Sequence, residues 1–216
     1  FLGSQSKAYI KKFIDFERKN PSKLIEVHNR PNYLKQLSKS LNKRNFTLFF
    51  HNDPLSMEGS KSIADRNFLL KTCYRIIFNS NWSKNRFMES IDNKFINSEK
   101  FKVCFQSASK GNINFIPKKK KWITFVGKLN KAKGYDVFGK SIIKVLKKNP
   151  GWRGKIVGDE KREKIDFNHK QLDKLGFIQH NKVLSLYEKS SIAVVCSRWE
   201  EPFGRTSLEA AANGNA

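Results

Sequence analysis

The 216 residues carry 43 Lys and Arg against 19 Asp and Glu, a formal charge of +24 and a pI near 10.1. With 38% hydrophobic residues and 18 Phe, the chain holds enough apolar side chain to offset the entropy of ordering, which argues against disorder and leaves one large domain or two small ones. Cys73, Cys104 and Cys196 stand far apart, with no CxxC pair and no His at ligand spacing, so neither a disulfide framework nor a zinc site is expected; no signal peptide is visible, and no apolar run approaches the ~20 residues of a membrane helix.

In chain order, short apolar runs alternate with amphipathic segments, the pattern of an α/β protein with parallel strands. Lys23 to Val27 and Thr47 to Phe50 read as strands, each followed by a His-Asn pair (His28-Asn29 and His51-Asn52), and Ile76 to Asn79 as a third. Ser80 or Ser83 caps a helix over Trp82 to Met88, since a hydroxyl there accepts from free backbone N–H groups. Residues 84–117 give no clear signal. Ile116-Pro117 and the run Lys118 to Lys121 place a domain boundary, with domains at 1–117 and 122–216 and a basic linker at 118–121; an exposed hairpin turn inside one domain is the alternative.

Beyond that break the rhythm restarts. Trp122 to Val126 reads as a strand, and Tyr135 to Lys148 as a helix with an apolar face at Phe138, Ile142, Val145 and Leu146 that stops at Asn149-Pro150-Gly151. Lys155 to Val157 and Gly176 to Ile178 read as strands, Val183 to Lys189 as a short helix, and Ile192 to Cys196 as a buried strand. Pro202 to Asn213 reads as a helix with proline near its first turn, where a missing N–H costs little. The opening at Phe1 and the stop at Ala216 suggest a fragment at both ends.

The chemistry concentrates in Glu201-Pro-Phe-Gly-Arg-Thr-Ser-Leu-Glu209. A strand running into a helix here directs the helix N-terminus out of the carboxyl edge of the sheet, where open α/β sheets bind ligands. Amides at Phe203, Gly204 and Arg205 would face that crevice and suit a phosphate, with Arg205 adding a planar charged donor. If mostly helical, the segment sets the two glutamates roughly 12 Å apart, so each carboxylate holds hydroxyls at one end of a single ligand.

This segment resembles the E-x7-E signature of retaining glycosyltransferases with the two-domain GT-B fold, specifically the large family 4. Ser197 before it and Glu209-Ala210-Ala211-Ala212-Asn213-Gly214 after it fit the same neighbourhood. The resemblance implies two Rossmann-like domains facing across a cleft. Glu201 would contact the donor sugar, the amides of Phe203 and Gly204 its sugar and phosphates, and Glu209 the ribose, with Thr206 on the same donor-binding turn. A second match is WITFVGKLNKAKG, Trp122 to Gly134: by resemblance Lys128 and Lys133, framed by Gly127 and Gly134, grip the donor diphosphate and stabilise the charge that builds on it. Lys128 stands where the family usually has Arg, a point charge without the bidentate fork.

In the front half, TLFFHNDP places His51 at a strand end, where the family has a histidine near the donor sugar. Asn52, Asp53 and, more weakly, His28 would line the acceptor side. The resemblance covers about Lys23 to Ala216. It implies a hexosyltransferase using a nucleotide diphosphate sugar, with no cofactor and no metal, acting on a glycan or lipid-linked acceptor in lipopolysaccharide or other surface polysaccharide synthesis.

The charge needs its own account. Lys outnumbers Arg 33 to 10, beside abundant Asn, Ile and Phe, the bias of A- and T-rich codons. Residues 1–121 carry 25 basic and 9 acidic side chains, residues 122–216 carry 18 and 10. The basic front half suits attachment to an anionic cytoplasmic membrane face. A nucleic-acid binder is the competing class, but it wants exposed aromatics interleaved with basic residues, and no such pattern or motif is present, so no nucleic-acid partner is expected. A non-catalytic nucleotide-sugar-binding relative remains the third reading.

Overall fold

The computed structural model describes residues 3–92, 98–109 and 118–216. The chain divides into two compact units, Phe1–Gln106 and Ser107–Ala216, each built on a four-stranded parallel sheet.

The first unit runs α1 (Ser4–Lys19), β1 (Leu24–His28), α2 (Leu34–Ser40), β2 (Asn45–Phe50), α3 (Ile63–Thr72), β3 (Arg75–Phe78), α4 (Asn81–Met88) and β4 (Phe101–Val103), with strand order β1-β2-β3-β4. β2 is central, and its near-continuous apolar run is what a strand covered on both faces requires: Phe46, Leu48 and Phe50 are buried. Phe50, Phe78, Phe87 and Phe101 interlock with ring centres 5.4–5.9 Å apart, in the tilted and offset arrangements that aromatic quadrupoles favour. α4 opens on a reciprocal capping box between Ser80 and Ser83, so both expected serines serve. The parallel register sets His28 beside Phe49, which brings the two His-Asn corners together.

The second unit runs β5 (Lys120–Val126), α5 (Tyr135–Lys148), β6 (Arg153–Val157), β7 (Leu172–Lys174), α6 (His180–Lys189), β8 (Ser190–Ala193) and α7 (Arg205–Ala212), in the order β7-β6-β5-β8. α5 buries Tyr135, Phe138, Gly139, Ile142 and Leu146. Val145 falls at the rim of that stripe and is exposed.

Several expectations are corrected. The units part at Gln106, ahead of the expected boundary, whose Ile116-Pro117 lies outside the described residues. Lys120 and Lys121 belong to β5 and not to a linker. Their run is tolerated because the stems are used: Lys119 donates to the Tyr187 and Asn213 carbonyls, and the Lys120 and Lys155 ammonium groups lie over the Trp122 ring at 4.7 and 4.3 Å. Gly176 to Ile178 is no strand, because Gly176 turns at φ +65° and Phe177 stands in solvent; the ladder with β6 is made by Leu172–Lys174. β8 ends at Ala193, earlier than the expected Cys196, and as an edge strand it is only partly buried. α7 begins at Arg205, not Pro202, because Gly204 takes the left-handed conformation as its N-cap. Among the described residues, no helix is long and apolar enough to cross a membrane.

Candidate functional site

In the second unit the loop between β5 and α5 is pinned from two sides and closed by a bond of its own. Gly127 N–H donates to the Val157 carbonyl (3.0 Å), Asn130 Oδ1 accepts from the Lys133 amide (3.0 Å), and the Arg198 amide donates to the Ala132 carbonyl (2.9 Å). Gly134, at φ +71°, lies so close to the chain after β8 that a Cβ there would sit 1.9 Å from the Cys196 carbonyl oxygen. The Cys196 thiol in turn donates to the Gly134 carbonyl at 3.2 Å, and burial pushes its pKa up.

This close approach presents Lys133 to the loop ahead of α7. The Lys133 ammonium pairs with the Glu201 carboxylate, whose Oε1 also accepts from Ser197 Oγ at 2.9 Å. Both charged side chains are about 30% exposed, so the pair lies at the mouth of a crevice lined by Lys133, Cys196, Ser197, Glu201, Gly204 and Thr206, with Phe125 at its floor. The first-turn amides of α7, those of Arg205, Thr206 and Ser207, have by helix geometry no intrahelical acceptor, and Thr206 and Ser207 line the crevice. Of the expected trio, Gly204 is the N-cap of α7 and lines the crevice, and Arg205 is the first helical residue; the 12 Å helical spacing of the glutamates is left without basis, since only the second half of the segment is helix.

Glu209 is a second cluster on the buried side of α7. Its Oε1 accepts from Arg205 Nη2 at 2.8 Å and lies 3.1 Å from His180 Nε2, the first residue of α6. Both partners meet Glu209 at the same oxygen. Lys128 is exposed on its loop and does not line the crevice.

In the first unit, Asn29 at φ +57° turns its Oδ1 onto the amides of His51 (3.1 Å) and Asn52 (3.2 Å), while buried Asn79 donates from Nδ2 to the His51 carbonyl at 3.0 Å. The His51 backbone is thereby fixed, and its ring lies 3.1 Å, nitrogen to nitrogen, from His28. Asp53 is committed to structure: it caps the turn at Pro54–Ser56 by accepting from the Leu55 amide (3.0 Å) and pairs with Arg86 at 3.3 Å.

The structure thus gathers Lys133, Glu201, Gly204 and Thr206 in one crevice, Arg205 and Glu209 in a neighbouring cluster, and His28, His51 and Asn52 in the other unit. Sequence reasoning missed Ser197 as a ligand of Glu201, Cys196 and Asn29 as clamps, and His180 as a partner of Glu209. Only the helix-opening position of His180 could have signalled it. No group of three or more His, Cys, Asp or Glu among the described residues is placed to hold a metal ion.

Residues 107–216 match the family model described as glycosyl transferases group 1. No curated protein matches the sequence. Among solved structures, Anabaena HepE in complex with UDP and glucose superposes with a TM-score of 0.71 at 18% identity, over 100% of this chain and 63% of that one. The pneumococcal O-GlcNAc transferase GtfA in complex with UDP and GlcNAc gives 0.65 at 14%, over 100% and 44%. A mutant of S. aureus TarM, in complex with Fondaparinux, alpha-GlcNAc-glycerol and UDP, gives 0.68 at 10%, over 94% and 43%. At these identities the shared property is the α/β fold with parallel sheets, and the chain spans less than two thirds of each of these structures.

Proposed function

The chain belongs to the group 1 glycosyl transferases, and we propose that it moves a hexose from a nucleotide diphosphate sugar to a glycan or lipid-linked acceptor, with retention of configuration, in cell-envelope polysaccharide synthesis. The observation that carries this reading is the convergence of the Lys133 ammonium, the Glu201 carboxylate and the amino end of α7 on one crevice. A diphosphate entering it exchanges with Glu201 as the partner of Lys133, and the first-turn amides add the positive end of the helix dipole. Released from Lys133, Glu201 turns to the sugar hydroxyls while Ser197 keeps its position. Glu209, with one oxygen held by Arg205 and His180, offers the other to the ribose.

As the glycosidic bond breaks, negative charge grows on the leaving diphosphate, and the ammonium and amides meet it without reorganising. They supply the charge that a divalent ion supplies elsewhere, and the leaving phosphate oxygen takes the acceptor proton. The basic excess of residues 1–121 supports work at an anionic membrane surface on the cytoplasmic side. Complexes of HepE and GtfA with UDP make UDP-sugars the first donors to try.

The test is turnover of UDP-, GDP- and ADP-sugars by the full-length protein and by Glu201→Ala, Lys133→Ala and Glu209→Ala. Each substitution is expected to lower kcat about 100-fold or more. Turnover unchanged in all three would sink the assignment.

A further inference from the structure

Three parallel rings stand at the carboxyl ends of β1 and β2. The Phe49 ring stacks on His28 with centres 4.3 Å apart and planes 9° from parallel, and the His28 and His51 rings are 5.4 Å apart at 7°. With His28 Nδ1 3.1 Å from His51 Nε2, the ring centres are separated by about the N···N distance plus the two ring radii, so this bond lies close to the plane of both imidazoles. On its other side, His28 Nε2 is 3.3 Å from Glu26 Oε2. A carboxylate only accepts. His28 Nε2 therefore carries a proton, and in neutral His28 the Nδ1 lone pair must accept from His51 Nε2–H. His51 is left with a bare Nδ1, which nothing bonds among the described residues.

We propose that His28, oriented by Glu26, is a positioning residue that decides which nitrogen of His51 carries the proton, and hence whether His51 accepts from or donates to a substrate hydroxyl. That role rests on the reading of His51 as a sugar-side residue. When the pair takes up one proton from solvent, it enters at His51 Nδ1 while the Nε2 proton passes across the 3.1 Å bond to His28 Nδ1. His28 is then the cation, facing Glu26, and His51 stays neutral with its free nitrogen turned from acceptor to donor.

Burial, and after it the neighbouring His28 charge, lower the His51 pKa, which agrees with the charge residing on His28. Of the charged groups nearby, Arg30 keeps its positive charge while its guanidinium donates to the Asn29 carbonyl at 3.0 Å, and Asp53 is paired with Arg86. Tyr9 and Tyr33 border the groove beside Glu26 and His28.

The test is two-bond 1H–15N NMR of the full chain labelled at its four histidines, titrated from about pH 8.5 to about pH 5. The wild type should show His51 passing from the Nε2–H to the Nδ1–H form while His28 becomes doubly protonated. His28→Asn should abolish the neutral Nδ1–H form and let His51 titrate at higher pH. Glu26→Gln, which leaves His28 without its carboxylate, should need a lower pH to switch, and it carries the test if His28→Asn does not fold. A His51 that becomes doubly protonated at the same pH in wild type and His28→Asn overturns the proposal. The spectra need no donor sugar, so a chain that switches without transferring sugar overturns the transferase reading alone, and one that transfers without switching overturns this one alone. In an active chain, His28→Asn should shift the pH profile of kcat and leave donor KM within about twofold.

Discussion

Placing a methyl group at Gly134 tests whether the Lys133 loop is held by contact with the end of β8. Gly134 at φ +71° and Gly176 at φ +65°, both in the second unit, have closely similar left-handed backbones. An alanine at either loses about 1 kcal/mol to the conformation itself. At Gly176 nothing lies within 4 Å of the new carbon, whereas at Gly134 it meets the Cys196 carbonyl oxygen at 1.9 Å and the carbonyl carbon at 2.7 Å. Those are main-chain atoms and no side-chain rotation relieves them, so the loop or the chain after β8 must move, which sets the total for Gly134→Ala at about 3 kcal/mol or more. In a unit of roughly 100 residues each kcal/mol is worth about 4–8 °C. Gly176→Ala should lower the melting temperature of the second unit by about 5 °C, and Gly134→Ala by more than about 10 °C. Urea unfolding followed by tryptophan fluorescence reads this unit well, because Trp122, Trp152 and Trp199 lie in it and only Trp82 in the other. Destabilisation of Gly134→Ala to within about 1 kcal/mol of Gly176→Ala would show that the loop does not depend on that contact, and the account of how Lys133 reaches Glu201 would go with it.

Other consequences are as direct. Glu17 is buried, with the Ser22 amide at 2.7 Å, Ser22 Oγ at 2.9 Å and Arg44 Nε at 2.9 Å; the Ser22 backbone bond first, then Arg44 and Ser22 Oγ, hold its pKa below the ordinary carboxylate value against burial. Because the folded value is the lower one, this stabilisation is complete above about pH 5 and is lost as pH falls through the lowered value. The stability gap between wild type and Glu17→Gln should therefore shrink in acid, and a gap that stays constant down to about pH 2 refutes the linkage. Cys73 is buried and its thiol is pushed up to about 12, while Cys104 is exposed; a thiol reagent near pH 8 should modify Cys104 quickly and Cys73 only on unfolding, and equal rates would contradict the burial. Asn29→Gly keeps the backbone turn but frees the amides of His51 and Asn52, and should cost about 1–2 kcal/mol in the first unit; a neutral effect in urea unfolding would mean that Asn79 alone holds the corner.

The class of fold and the two segments that line the crevice were legible in the order of the amino acids alone. Strand-length apolar runs separated by amphipathic segments required parallel α/β units, and the glycine-framed loop Gly127–Gly134 and the Glu201–Glu209 segment could be read because each is contiguous, so composition and spacing carry them. The boundaries that slipped did so for local physical reasons. Gly204 moved the start of α7 because a left-handed N-cap overrides a proline that could have opened a helix, and Lys120 and Lys121 entered β5 because an indole and the ladder with β8 received them. The partnerships came from the folded chain and from nothing less. Cys196 and Gly134 are 62 positions apart and His180 and Glu209 are 29, and such pairs meet because parallel strands return the chain to the same sheet edge after each helix. The His28–His51 bond has the same origin. Each histidine is visible in the sequence, but only the register that pairs His28 with Phe49 places one imidazole where it can set the proton of the other.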